Sequence, residues 1–288
     1  MALRRIEMPP RLPKRPVDSN KGMYGHVLVI GGSRGMAGAA ALVGASALRS
    51  GAGLVRIASA VEVQPTVSQF EPSYMTWPLP QDVEGKIGFP AARDQLERLC
   101  ESATVLAVGP GLGQSDEIHA LVQWVVDSID QPTVLDADAL NVLAGRFDVS
   151  RSKRPLIITP HPGEFGRLIR KPTAEVQADR EALAAEFARS HGVVVVLKGT
   201  GTIVTDGERV YVNTSGNAGM AKGGAGDVLT GVTAAMLAQH LPAFEAACLA
   251  TYAHGLAGDI ARDQNGEVGM IAGDIVDALA DTFSHLDH

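Results

Sequence analysis

Asp227 stands directly after Lys222-Gly223-Gly224-Ala225-Gly226 and directly before the apolar run Val228-Leu229-Thr230-Gly231. Small residues running into a helix let several backbone N–H groups point at one anion, and the positive end of the helix adds to the attraction. A carboxylate in that first turn has two readings. It is a dipole partner worth about 0.3–1 kcal/mol, or a base that takes a proton from a hydroxyl attacking a phosphoryl group. A second candidate is His161 in Thr159-Pro160-His161-Pro162-Gly163-Glu164, where two prolines stiffen the backbone around the imidazole. Glu164 is there either a first-turn helix carboxylate or a ligand for substrate or Mg²⁺. Asp136-Ala137-Asp138-Ala139-Leu140-Asn141 brings two carboxylates and an amide together, one Asp being also a plausible helix cap. Lys198-Gly199-Thr200-Gly201-Thr202 joins an ammonium to a turn that can approach a nucleotide's phosphates or its adenine.

Each of these segments follows an apolar run, as ligand loops of open α/β sheets do. Strands are predicted at 26–30, 54–58, 104–108, 133–135, 155–159 and 193–198, with a hairpin from 201–206 and 209–213 around Asp206-Gly207. Helices are predicted at 37–50, 115–128 (with Ser115 and Asp116 as cap candidates), 173–190, 226–239, 242–262 and 273–283. Repeated strand, glycine-rich loop and helix predict an α/β fold with a mostly parallel sheet covered on both faces. Residues 61–98 show no clear period. The glycines of 31–40 do not match G-x-G-x-x-G, so a dinucleotide fingerprint, and with it hydride transfer, is a weak reading.

The chain has 288 residues, 45% hydrophobic and 20% charged, the balance of a globular protein with one substantial core. Its 32 glycines exceed average usage of about 7% and cluster where apolar runs end. Acidic residues number 32 against 25 Lys and Arg, a net charge of −7, which argues against nucleic acid as a partner. Arg4, Arg5, Arg11, Lys14 and Arg15 are interrupted by Pro9, Pro10, Pro13 and Pro16 with no apolar core behind them. Residues 1–22 therefore read as a solvated amino-terminal arm before a single domain over 23–288. The longest mostly apolar stretch, 37–48, is too short to cross a bilayer, and a cytoplasmic protein without membrane contact is expected. Cys100 and Cys248 lie far apart without a His/Cys pattern, so neither a disulfide nor a zinc site is expected.

Taken in order, these segments resemble the ADP- or ATP-dependent NAD(P)H-hydrate dehydratases of the ribokinase-like superfamily. The resemblance covers nearly the whole chain from about Asp18. It rests on Gly-Ser-x-x-Met-x-Gly-Ala-Ala at 32–40, the glycines of 109–113, and segments 136–141, 159–164, 198–202 and 216–231. It implies a three-layer α/β/α sandwich without a separate lid domain. The implied reaction is repair of hydrated NADH and NADPH in the S-form: phosphorylation of the offending hydroxyl from ADP or ATP, then loss of phosphate. By the same resemblance Asp227 is the base, and the amides of Gly223, Gly224, Ala225 and Gly226 hold the transferred phosphoryl group. Lys198, Gly199, Thr200, Gly201, Thr202 and Gly226 match nucleotide-binding positions, while Ala39 or its neighbour Ala40, Gly111, His161 and Asp227 match contacts to the hydrated dinucleotide. Mg²⁺ is implied, with Glu164 as its helper.

A homotetramer is also implied, as is a separate NAD(P)H-hydrate epimerase, since no epimerase domain fits in this length. Asn20-Lys21-Gly22 departs from the family's frequent His-Lys-Gly, and Ala218 stands where Pro is frequent, which would loosen the approach to the anion loop. Two rivals use the same Asp227 and glycine loop: a small-molecule kinase of the superfamily, and a nucleotide sensor without turnover.

Overall fold

Val27 and Val29 face one layer of helices and Leu28 and Ile30 the other, because successive side chains of a strand point to opposite faces. Strands buried on both faces read as continuous apolar runs, and β2 (His26–Ile30) is wholly buried. The structure, a computed structural model, describes residues 3–149 and 154–286. One ten-stranded sheet runs β1 (Arg4–Ile6), β10 (Arg209–Val212), β9 (Ile203–Thr205), β8 (Val194–Leu197), β7 (Leu156–Ile158), β6 (Thr133–Leu135), β5 (Val105–Val108), β2, β3 (Leu54–Ala60), β4 (Met75–Leu79). From β8 to β4 every pair is parallel, and β9 is antiparallel to both β8 and β10.

One face is covered by α1 (Ala37–Arg49), α2 (Gln64–Phe70), α9 (Ala225–Ala238), α10 (Ala243–Asn265) and α11 (Ala272–Leu286). The other face carries α3 (Phe89–Glu101), α4 (Asp116–Ser128), the short α5 (Asp138–Val142), α6 (Pro162–Ile169), α7 (Thr173–Ala178) and α8 (Arg180–His191). This is the three-layer sandwich expected, with no separate lid among the described residues. Ser115 caps α4 as read from the sequence, its Oγ accepting the Ile118 N–H at 3.2 Å. Cys100 and Cys248 are buried free thiols.

Three expectations change. The amino-terminal segment is not simply solvated: Arg4–Ile6 pairs parallel with β10, and Arg5 meets Glu181 at 2.9 Å. An open sheet edge carries unpaired backbone groups, and this short strand covers it. The helix expected over 173–190 is two helices, broken at Asp179, whose φ of −145° and ψ of 54° leave the helical region. Residues 61–98 hold α2, β4 and the start of α3.

Helices α1 and α9 touch at a glycine. A Cβ on Gly231 would lie 2.1 Å from Ser46 Oγ and 2.2 Å from the Val43 carbonyl oxygen, and a backbone atom cannot move aside cheaply. We expect Gly231→Ala to destabilise the protein by about 1–3 kcal/mol through overpacking, read as a lower urea midpoint. A midpoint equal to wild type would show that the two helices are not in contact there.

Candidate active site at the amino end of helix α9

Asp136 ends β6 and is almost fully buried, with 1% of its side chain exposed. Its Oδ1 lies 2.8 Å from Lys198 Nζ at the end of β8, and its Oδ2 accepts the Thr230 hydroxyl of α9 at 2.7 Å. Both carboxylate oxygens are thus engaged, as burial of a charge requires. Ala137 follows with a φ of +50°, a conformation that costs a non-glycine residue. Across this turn Asp138 accepts the Gly113 N–H at 2.8 Å. Neither aspartate caps a helix: the cap position of α5 is Ala137, with no side-chain bond.

Lys198 stands among carboxylates. Besides Asp136, Glu164 Oε2 is 3.8 Å from its Nζ. Burial alone would lower the ammonium's proton affinity, but Asp136, Glu164 and Asp227 together hold it above its ordinary value. The turn beyond it is fixed by Arg180, the first residue of α8, which donates to the carbonyls of Leu197, Lys198 and Thr200 at 3.0, 3.2 and 2.7 Å. Gly199 and Thr200 are exposed and Gly201 and Thr202 half-buried, so the turn is open to a ligand.

Gly224 turns the chain into α9 with a φ of +92°, a left-handed conformation natural to glycine. Gly223 is exposed, and a Cβ there would meet nothing within 4 Å. A Cβ on Gly226 would lie 3.2 Å from Lys198 Nζ, which places the ammonium against the helix's first turn. The Ala225 N–H already reaches the Lys222 carbonyl at 3.4 Å, so of the four amides it is the one with a competing partner. Asp227 is half-buried one residue further on. Its carboxyl is pushed up to about 7, by burial first and then by Asp136, with Asp138 and Glu164 adding and Lys198 opposing. A carboxylate with that proton affinity is matched to taking a proton near neutral pH.

On the opposite side, a Cβ on Gly111 would lie 3.2 Å from the Ala39 Cβ and 2.8 Å from the Met36 carbonyl oxygen. Ala39 and Gly111 are therefore neighbours in the loops after β2 and β5. The strand order reverses between these two strands, where ligands of open α/β sheets bind. Ala40 is not on that surface: its side chain is fully buried against Gly31 and Gly32.

His161 has a structural task. It caps α6, Nδ1 accepting the N–H groups of Gly163 and Glu164 at 3.0 and 3.3 Å, while Glu164 Oε2 accepts the His161 N–H at 2.8 Å. This network leaves the ring proton on Nε2, on an imidazole that is half exposed. Burial lowers its proton affinity, and Lys198 and Arg167 add to that against Glu164 and Asp136. Glu164 is correspondingly 6% exposed and closes the cap. Among the described residues no group of three or more His, Cys, Asp or Glu could hold a metal ion. The described donors thus form no Mg²⁺ cage, and Glu164 serves as a capping residue beside Lys198.

Three residues of the site escaped the sequence reading. Thr230 and Arg180 look like ordinary helix residues. His254 of α10 is buried against the Ala225 backbone, with its proton affinity lowered to about 4 by burial.

The fold is the ribokinase-like one, a class of α/β proteins. Within it the chain belongs to the NAD(P)H-hydrate dehydratase family, whose model matches residues 27–281. It is 42% identical over 280 residues to the bifunctional NAD(P)H-hydrate repair enzyme Nnr of Moorella thermoacetica, covering 96% of this chain and 52% of that protein. The chain spans about half the length of such bifunctional relatives. It is 36% identical to the ADP-dependent (S)-NAD(P)H-hydrate dehydratase of Neisseria meningitidis serogroup B, covering 95% of this chain and 90% of that one. The solved ADP/ATP-dependent NAD(P)H-hydrate dehydratase from Bacillus subtilis, co-crystallised with ATP/Mg²⁺, superposes with a TM-score of 0.85 at 35% identity, covering 96% and 95% of the two chains.

The raised proton affinity of Asp227 has a thermodynamic signature. Unfolded, an Asp titrates near 3.9; folded, this one titrates at about 7. Between those values the native state binds the extra proton, so raising the pH lowers stability across that window. Asp227→Asn removes the effect. We expect the variant's melting temperature to exceed wild type's by a margin that grows from pH 4 to about 7 and is flat above it. A margin independent of pH would mean that Asp227 titrates normally.

Proposed function

We propose that the chain dehydrates the S-form of hydrated NADH and NADPH at the expense of ADP or ATP, restoring the dihydronicotinamide and releasing AMP or ADP and phosphate. The observation that carries this reading is Asp227, half-buried in the first turn of α9 next to Gly223–Gly226 and held at about 7. Asp227 takes the proton of the substrate hydroxyl as its oxygen attacks the terminal phosphoryl group. The new O–P bond forms, and the bond to the nucleotide's leaving oxygen breaks. The amides of Gly223, Gly224 and Gly226, with the dipole of α9 and the Lys198 ammonium, offset the charge on the transferred group. The carbon–oxygen bond then breaks with phosphate as leaving group. Hydroxide would leave far less readily; the ring nitrogen's electrons replace the lost pair, and the adjacent ring carbon then gives up a proton to solvent, so that the carbon–carbon double bond forms and the nitrogen regains its pair.

The hydrated ring and its dinucleotide lie in the loops of Ala39 and Gly111, with the exposed edge of His161 facing the substrate. The nucleotide lies over Lys198, Gly199, Thr200, Gly201, Thr202 and Gly226. Mg²⁺ enters on the nucleotide's phosphates, where it would lower their charge. The other hydrate isomer is the business of an epimerase.

Purified protein given hydrated NADH, Mg²⁺ and ADP, ATP or no nucleotide is expected to recover the 340 nm absorbance of dihydronicotinamide, on the order of enzymatic rates, only when a nucleotide is present. Asp227→Asn should lower the rate about 10²–10⁴-fold while still binding nucleotide. Folded protein that binds nucleotide yet restores no absorbance would refute the assignment. A phosphate ester released from some other alcohol would establish the kinase instead.

We also propose a homotetramer. A cavity of about 780 Å³ lies between α1, α2 and α11, and Phe70 and Ile271 on its walls are 61% and 60% exposed. Light scattering should return four chains per particle, and Phe70→Glu should reduce that number. A monodisperse monomer at micromolar concentration would refute it.

A further inference from the structure

The anion loop is not self-supporting, and its supports lie on a helix that touches neither ligand in the reading above. Helix α10 has glycines at Gly255 and Gly258, one turn apart in its interior, where glycine destabilises a helix relative to alanine. The structure uses both. A Cβ on Gly255 would lie 2.2 Å from Ser215 Oγ, and a Cβ on Gly258 would lie 2.2 Å from Met220 Sδ. The strand-to-helix segment 213–224 is therefore seated directly on the α10 backbone, and Ser215 Oγ donates to the Tyr252 carbonyl at 2.9 Å.

Asp259 stands next to that seat. Its Oδ2 accepts the Gly216 N–H at 2.9 Å, and its Oδ1 accepts Asn217 Nδ2 at 3.1 Å. Arg262 Nη1 lies 3.2 Å from the same Oδ1 and orients the carboxylate. Asn217 also donates to the Gly258 carbonyl at 2.8 Å, while its own Oδ1 accepts the Gly219 N–H at 3.0 Å. At the far end Lys222 Nζ donates to the carbonyls of Val268 and Met270 at 2.6 and 2.5 Å. The Lys222 ammonium is thus committed to the turn between α10 and α11 and does not reach toward the anion pocket. Asn217 thus both orders the start of the loop and is itself held by a charge.

We propose that Asp259 is a positioning residue for the phosphoryl-holding amides: through Gly216 and Asn217 it fixes the register in which 217–224 enters α9. The proposal deepens the function put forward above and rests on it for the identity of the anion. AMP lacks the phosphoryl group that these amides hold, whereas ATP carries it. A loose loop therefore weakens ATP and spares AMP.

Calorimetric titration of ATP and of AMP, each with Mg²⁺, into wild type, Asp259→Ala and Asp259→Asn tests this without turnover. Asp259→Ala should weaken ATP about tenfold and AMP less than about twofold. Asp259→Asn, which keeps one oxygen for the Gly216 N–H, should recover most of the loss. Equal weakening of both nucleotides would mark a structural role only, and unchanged ATP affinity would overturn the proposal outright. If Asp259→Ala does not fold, Asn217→Ala cuts the same link from the loop side and must show the same selective loss. Wild-type protein that binds ATP but restores no hydrated NADH would sink the dehydratase reading and leave Asp259 standing. Wild-type protein that binds neither ATP nor ADP would overturn both.

Discussion

A carboxylate at the end of β6, taken out of water, and a mostly buried ammonium at the end of β8 hold the centre of this molecule. Removing two such charges from solvent is expensive, and their attraction offsets the cost only when remaining lone pairs and protons are also satisfied. Asp136 meets that condition, with Lys198 on one oxygen and Thr230 on the other. The consequence is geometric. β6, β8 and the first turns of α9 must come together at one point, or a charge is left buried without its partner. Everything that could take part in chemistry is placed relative to that point: the Lys198 turn, the Gly226 backbone, and the Asp227 carboxyl one residue beyond.

The same pair sets the electrostatics. Asp136, Asp138, Asp227 and Glu164 gather around one Lys198, an excess of negative charge before any phosphate arrives. In such surroundings Asp227 keeps its proton up to about 7. Side-chain cations alone do not serve a polyphosphate here, because Lys198 is shared among carboxylates and Lys222 is tied to backbone carbonyls. The rest of the attraction comes from groups that do not titrate: the amides of Gly223, Gly224 and Gly226 and the dipole of α9. Backbone donors serve only if the backbone is held, which is why the seat of the loop on α10 matters as much as its composition.

How much of this could be read from the sequence follows from the range over which each feature acts. The strands β2, β5 and β8 were legible because burial on both faces makes them continuous apolar runs, and α4 because Ser115 caps a run of helical period. Residues 61–98 were not. β4 lies at the sheet's edge with Met75 and Trp77 exposed and Pro78 inside it, so neither alternation nor a continuous apolar run marks it. The amino-terminal strand is three residues long and gains its identity only from β10. At the site, the glycine loops, Lys198 and Asp227 were legible as local patterns. Thr230 and Arg180 were not, since Thr230 answers to Asp136, 94 residues away, and Arg180 to the turn after β8. The capping role of His161 is the reverse case. Its two flanking prolines do position the ring, but the first group that the ring serves is its own helix.

The sheet order also sets the scale of the cleft. The Gly111 loop follows β5 and the Lys198 turn follows β8, with β6 and β7 between them. At a strand spacing of about 4.8 Å the two loops stand roughly 14 Å apart across the sheet. One small ligand cannot touch both, while two ligands meeting between them can. The elements at the middle of that span are the end of β6, with Asp136, and the amino end of α9, with Asp227. A donor held at one loop and an acceptor at the other would therefore present their reacting ends to the one carboxyl whose proton affinity the buried pair has raised.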